Sequence, residues 1–242
     1  MFLNHSKNML FGFIGGLGPH ASTKFLETIY TIRDTYSNEQ ELPRVILLSD
    51  PYIPNRTEML LSGKEKVLYE NITSNIEKLI AFGADQIFIL CFTFHYFIEE
   101  LNKKYKNVIS LIDIALKEIL HNKRRHLLLG TLATYQLGIF EKSIYWDKVK
   151  DFIVSPSPAD QENIYTLIHQ IKVGKKPDSQ LFNELKALMS KYEVKCLLAG
   201  CTEFHLISSS PLLDEYALRF LDPLNILANE IAYSKNNLVG AA

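Results

Sequence analysis

Short apolar runs alternate with amphipathic helical patterns along almost the whole chain, and this alternation constrains the fold more than any other feature. Strands are expected at residues 10–15, 45–49, 86–91, 108–110, 126–130, 152–154, 195–200 and 218–221. The run Gln86-Ile87-Phe88-Ile89-Leu90-Cys91 is apolar with little polar alternation, which suits a strand covered on both faces. Helices are expected at 20–36, 63–82, 94–104, 112–121, 136–143, 161–172, 179–192 and 223–233. In the second of these, Val67, Ile72, Ile76, Leu79 and Ile80 recur at helical spacing. Ser179, with Pro177 just outside, reads as a helix cap. Strands and helices in this order build βαβ units on parallel sheets, an α/β fold.

Composition removes several classes of function. The 242 residues carry 26 Lys plus Arg against 27 Asp plus Glu, a net charge of −1, so no general cationic footprint for nucleic acid exists. The longest basic run, Lys123-Arg124-Arg125, reads as a solvated turn before a strand. The longest core-like run, 87–94, is strand-sized and far below the roughly 18 residues of a membrane span. Lys7, the apolar stretch 9–14 and Ala21-Ser22 loosely mimic a signal peptide. The glycines up to Gly18, followed by Pro19, suit instead a buried strand entering a tight turn. Three cysteines cannot form a disulfide framework without a leftover thiol, so a reducing, cytoplasmic compartment is expected.

No linker or short repeat divides the chain, but one long-range echo stands out. Residues 84–95 (ADQIFILCFTFH) resemble residues 193–205 (EVKCLLAGCTEFH). In each, an apolar strand ends in a cysteine, Cys91 or Cys201, with a threonine, Thr93 or Thr202, close behind. Groups at the carboxyl ends of parallel strands face the crevice where α/β proteins bind ligands. Two such cysteines on two similar units could face each other across one cleft. A thiol at a strand end before a helix start is expected to have a lowered pKa. Two facing thiols suit removal of a proton from one face of a carbon and return of a proton to the other. The alternative is that both are small buried hydrophobes; Cys196, inside an apolar strand, reads that way.

Two loops complete the candidate chemistry. Gly15-Gly16-Leu17-Gly18-Pro19 follows a strand and precedes a helix, so its backbone N–H groups are expected to face an anion. Gly16-x-Gly18-x-x-Ala21 also fits a dinucleotide fingerprint. Pro19 removes a donor, however, and Asp50 lies 32 residues past Gly18 (50 − 18) rather than roughly 20. The segment Asp50-Pro51-Tyr52-Ile53-Pro54-Asn55-Arg56-Thr57 is expected to be an extended loop that offers Arg56 to a carboxylate.

Taken in order, Gly15–Pro19, Ile53-Pro54-Asn55-Arg56-Thr57, Gly83-Ala84-Asp85, the stretch from Cys91 to Tyr96 and Gly200-Cys201-Thr202-Glu203 resemble the motifs of the aspartate/glutamate racemase family, its aspartate racemase branch above all. The stretch 129–134 and Leu221-Asp222-Pro223 match that pattern in place. The resemblance implies two similar Rossmann-like α/β domains with mostly parallel sheets and the active site in the cleft between them. Residues 1–112 plus 212–242 would form the first domain and 113–211 the second, the last helix returning to the first. It further implies a cofactor-independent and homodimeric enzyme, and no Cys/His spacing recommends a metal. Cys91 and Cys201 would be acid and base at Cα, with Thr93 and Thr202 on the α-carboxylate and Arg56 on the side-chain carboxylate. Glu203 matches the acidic residue after the second Cys-Thr, and Gly16 lines the site.

One position departs from the family. Phe92 stands where Asn is usual, and phenylalanine offers a bound substrate no donor or acceptor. Loss of a charge-assisted hydrogen bond of about 1.5–3 kcal/mol would weaken binding about tenfold to a hundredfold. Phe92 is therefore counted with the substrate-binding residues, as a side chain that could narrow the cleft. The expected activity is interconversion of L- and D-aspartate, or glutamate, by two-base cysteine chemistry on a small amino acid or dicarboxylate, with neither nucleic acid nor membrane as partner. The alternatives are a maleate-isomerase-like enzyme with a single cysteine nucleophile, and a non-catalytic carboxylate-binding homologue.

Overall fold

The structure, a computed structural model, describes residues 9–32, 36, 38–174 and 178–234. The first half runs β1 (Leu10–Gly15), α1 (Pro19–Thr31), β2 (Arg44–Ser49), α2 (Arg56–Leu61), α3 (Glu65–Ala81), β3 (Gln86–Ile89), α4 (Ile98–Lys104), β4 (Val108–Ile109) and α5 (Leu111–Asn122). The second runs β5 (His126–Gly130), α6 (Leu132–Gln136), α7 (Trp146–Val149), β6 (Ile153–Val154), α8 (Pro158–Lys172), α9 (Asp178–Lys191), β7 (Cys196–Gly200), α10 (Leu212–Glu215), β8 (Phe220–Leu221) and α11 (Pro223–Ala232). The strands form two parallel sheets of identical order, β2-β1-β3-β4 and β6-β5-β7-β8. Among the described residues no helix is long and apolar enough to cross a membrane.

All the expected strands form, with ends moved by a residue or two. The central strands β1, β3, β5 and β7 are apolar because they are buried almost throughout, whereas the edge strands β2 and β6 are only partly buried. In the second sheet Leu128 and Leu198 join one core, whereas Leu127, Leu129, Leu197 and Ala199 join the other. The first of these cores is continuous with that of the first sheet and includes Leu224, Leu227 and Ile231 of α11, which packs against α1 and α5. The sheets are thus joined through shared helices. Ser110, Ser157 and Asp222 accept hydrogen bonds from the first turns of α5, α8 and α11, which starts those helices where they start.

Several expectations need correction. The 50–57 loop is not extended throughout. Asn55 accepts from the Thr57 N–H and starts α2, so Arg56 is a first-turn helical residue. The helix expected at 136–143 is instead α6 and a short 3-10 turn, Phe140–Lys142, because Gly138 turns left-handed between them (φ 55°). Ser179 lies inside the first turn of α9 rather than capping it. The segment from 212 does not return directly to the first sheet. It first supplies β8, whose Phe220 and Leu221 pair with β7, and only α11 goes back. Lys7, Pro177 and most of the expected helical extension beyond residue 32 lie outside the described residues.

Candidate active site

Parallel strands of matched register bring their carboxyl ends to one level, Gly15 beside Ser49 and Gly130 beside Gly200. Beyond those ends both cysteines cap short 3-10 turns, Phe92–Phe97 after Cys91 and Thr202–Leu206 after Cys201. The two turns face each other. Cys91, Thr93, Leu17 and Arg56 from one side, and Cys201, Glu203 and Thr131 from the other, line one cavity of about 50 Å3. Contacts across the cleft are reciprocal. The Thr93 and Thr131 hydroxyls lie 3.4 Å apart, so the turn after β3 meets the turn after β5. The turn after β7 meets the turn after β1: a Cβ on Gly18 would stand 2.5 Å from Glu203 Oε1, so glycine there makes room for the carboxyl group.

The Cys201 thiol donates to Glu203 Oε2 at 2.8 Å, and the Thr202 hydroxyl reaches the same oxygen at 3.4 Å. Burial and then the negative charge of Glu203 push the Cys201 pKa well above its ordinary value. The lowered pKa expected for a cysteine at this kind of strand end is therefore wrong for Cys201. The turn that follows is too short to act as a helix dipole, and the neighbouring charge is negative. Among the described residues Cys91 Sγ has no carboxyl group hydrogen-bonded to it.

Arg56 lies at the cavity wall. Its guanidinium donates to the Leu17 carbonyl, and to those of Ile53 and Pro54 at 3.4 Å each. Its Nε–H is buried and has no hydrogen-bond partner among the described residues. A buried guanidinium N–H left open costs free energy until an acceptor arrives, so this group is set up for an anion.

Three expected site residues fall elsewhere. Phe92 does not line the cavity. Its ring is buried and stacks on Phe140 with centroids 5.8 Å apart, so it fills core space rather than narrowing the cleft. Thr202 is buried beneath Glu203 and also does not line the cavity. Gly16 does not offer its N–H to a ligand; that group donates to Ser22 Oγ at 3.1 Å. Glycine is required at position 16 by its φ of 80° and by the Asp50 backbone N, which a Cβ would approach to 2.3 Å.

Sequence reasoning missed one wall. Tyr165, His169 and Lys172 line the cavity from a single stripe of α8, with the Tyr165 and His169 rings edge to face at 4.7 Å. The signal was the i, i+4, i+7 spacing of polar residues on that helix. Thr131 was missed as well, although Gly130-Thr131 ends β5 just as Gly15-Gly16 ends β1.

Comparison with known proteins shows the family and the fold. Residues 14–231 match the Asp/Glu/hydantoin racemase family. The chain is 24% identical over 219 residues to the broad specificity amino-acid racemase RacX of Bacillus subtilis (strain 168), covering 86% of this chain and 93% of that protein. Among solved structures it is similar to Picrophilus torridus aspartate racemase, with 29% identity, a TM-score of 0.76 and coverage of 93% and 94% of the two chains. A putative Asp/Glu racemase from Yersinia pestis shares the fold, with a TM-score of 0.74 at 18% identity and coverage of 93% and 99%.

Proposed function

The chain belongs to the Asp/Glu/hydantoin racemase family, a family of isomerases, and we propose that it interconverts the enantiomers of an acidic amino acid, aspartate first, by proton transfer at Cα between Cys91 and Cys201. The observation that carries this reading is that both cysteines open onto one cavity together with two cations, Arg56 and Lys172. Two cations suit the two carboxylates of a dicarboxylic amino acid. The cavity encloses only about 50 Å3, so its walls must part to admit any amino acid, and the shorter acid asks for less movement.

One cysteine, as thiolate, takes the Cα proton. The other, as thiol, gives a proton to the opposite face, and the pair is left with its protonation exchanged. Glu203 accepts the hydrogen bond of the Cys201 thiol and so favours Cys201 as the donor; once that proton has gone to Cα, the Cys201 thiolate is the base for the opposite enantiomer. The carbanion is the costly species. Arg56, Lys172 and the Thr93 and Thr131 hydroxyls supply donors that stabilise the adjoining carboxylates. A cytoplasmic homodimer without a cofactor, built of two units with β8 counted in the second, belongs to the same proposal.

The test is hydrogen exchange. In deuterated water the purified protein is expected to place deuterium at Cα of aspartate while converting either enantiomer into the other. Absence of both exchange and conversion with aspartate and glutamate would remove the proposal. The inequality of the two thiols also fits chemistry in which Cys91 alone attacks an unsaturated diacid. That reading requires a Cys201→Ser variant to keep most of its turnover.

A further inference from the structure

One cavity opens at the other end of the second sheet from Cys201. It lies at the amino-terminal edge of the second sheet, beneath the ends of α5 and α11, and encloses about 690 Å3. That is within the usual range of small-molecule pockets, about 300–1,000 Å3. We infer that this groove is a binding site for a phosphate-bearing small molecule.

The basic triplet supplies the first reason. Arg124 and Arg125 stand on the rim of the groove together with Lys195, all three are exposed, and none has an ion-pair partner among the described residues. Arg219, also on the rim, is paired with Asp214 at 2.6 Å. The acids facing the groove are Glu118, Glu193 and Asp222. Asp222 is already occupied, accepting from Ser208 and the Leu224 N–H and pairing with His205. The open cations therefore outnumber the open acids, and two adjacent guanidinium groups suit the oxygens of a phosphate.

His126 supplies the second reason and is independent of the first. It starts β5, is only 1% exposed, and lines the groove beside Cys196, its register partner on β7. Neither ring nitrogen makes a hydrogen bond of proper geometry among the described residues. Burial lowers its pKa, offset in part by the nearby Arg124 backbone. A buried imidazole with both nitrogens open is costly unless a partner enters. Phe220 and Ile226, partly buried on the same wall, offer an apolar surface to the rest of such a ligand.

The experiment titrates the intact protein with inorganic phosphate, adenosine monophosphate and adenosine by calorimetry, following the His126 ring nitrogens by NMR. Adenosine monophosphate is expected to bind saturably and shift the His126 signals, and adenosine is not. Tighter binding of inorganic phosphate than of the monophosphate would identify the free ion as the ligand. Arg124→Ala/Arg125→Ala is expected to weaken binding at least about tenfold, with racemisation unchanged, while Arg56→Ala leaves binding intact. Absence of saturable binding of either phosphate probe below about 10 mM would overturn the inference. So would binding that survives Arg124→Ala/Arg125→Ala and is lost in Arg56→Ala, which would locate the phosphate in the cysteine cavity. Neither of these results touches the proposed racemisation.

Discussion

The Cys91 turn and the Cys201 turn are built on one plan and tuned differently. In each, a cysteine caps a 3-10 turn and a fully buried histidine follows four residues later. In each, that histidine ties the turn to the helix after the next strand. His95 accepts from the Leu111 N–H at the start of α5 and donates to the Cys91 carbonyl. His205 meets Asp222, the cap of α11, at 2.7 Å. The difference lies two residues after the cysteine, at the position that lines the cavity: Thr93 on one side, Glu203 on the other. The position directly after the cysteine, Phe92 or Thr202, is buried off the cavity on both sides. The residue that distinguishes the two turns at the cavity is therefore the second one on. The Cys201 thiol is hydrogen-bonded to a carboxyl group, and the matching position on the Cys91 side carries a hydroxyl group.

The largest test of the comparison is to remove each sulfur. Cys91→Ser and Cys201→Ser are each expected to lower kcat for aspartate racemisation by at least about a thousandfold, near the upper end of what a positioned acid or base supplies. A racemisation has an equilibrium constant of unity, so kcat/KM must fall equally in both directions. The inequality of the turns has to be read elsewhere. Each variant should keep Cα hydrogen exchange with solvent for the one enantiomer whose proton the remaining cysteine removes. The two variants should keep opposite enantiomers. If both keep exchange of the same enantiomer, the cysteines do not face opposite sides of Cα.

The histidines give the next effect. Burial holds the His95 pKa down at about 4, against an ordinary value of 6.5. Its stabilising contribution is present above pH 6.5. As pH falls below 6.5 the unfolded chain takes up a proton that the folded chain refuses, and stability is lost until the folded pKa near 4 is passed. The full span is worth about 3 kcal/mol. Denaturant unfolding of His95→Gln between pH 7 and 4 should show a flatter slope than the parent. Burial also lowers the pKa of His126, so part of the slope, with the same sign, should remain.

Much of this architecture is legible from local sequence, and the failures have physical causes. Unbroken apolar runs locate the strands, most plainly the central ones, where two-sided burial leaves no other use for them. The echo between 84–95 and 193–205 correctly brings Cys91 and Cys201 to one cavity. The side chains around them are harder to read, because a 3-10 turn follows neither the strand period nor the helix period. That is why Phe92 and Thr202, expected among the substrate-binding residues, are buried off the cavity. Gly16 is hard to read for a similar reason. A glycine required by the backbone and a glycine required by a ligand look alike in sequence, and only the Ser22 hydroxyl decides between them. The α8 wall is distant in sequence from every cysteine, so nothing local links Lys172 to the site.

The smallest effects sharpen the comparison by altering the Cys201 side alone. Glu203→Gln keeps the shape and removes the charge. The Cys201 pKa should then fall toward its ordinary value, while burial still holds it above. Where Cys201 must be a thiol, activity is lost as pH rises through its pKa, so the alkaline limb of the pH–kcat profile should move to lower pH. With the hydrogen-bond partner that orients the Cys201 thiol altered, kcat should also fall about tenfold to a hundredfold. Gly18→Ala acts on the same carboxyl group from across the cleft. The new methyl would stand 2.5 Å from Glu203 Oε1, the far end of a side chain that can swing aside. Stability should therefore change by no more than about 1 kcal/mol, while kcat drops by up to about tenfold as the Cys201–Glu203 hydrogen bond is disturbed. Gly16→Ala is the control. There the methyl meets the Asp50 backbone at 2.3 Å at a φ of 80°, nothing flexible can yield, and the loss should appear in stability. An alkaline limb that stays in place in both Glu203→Gln and Gly18→Ala would mean that Glu203 does not tune Cys201, and the two turns would then be chemically alike.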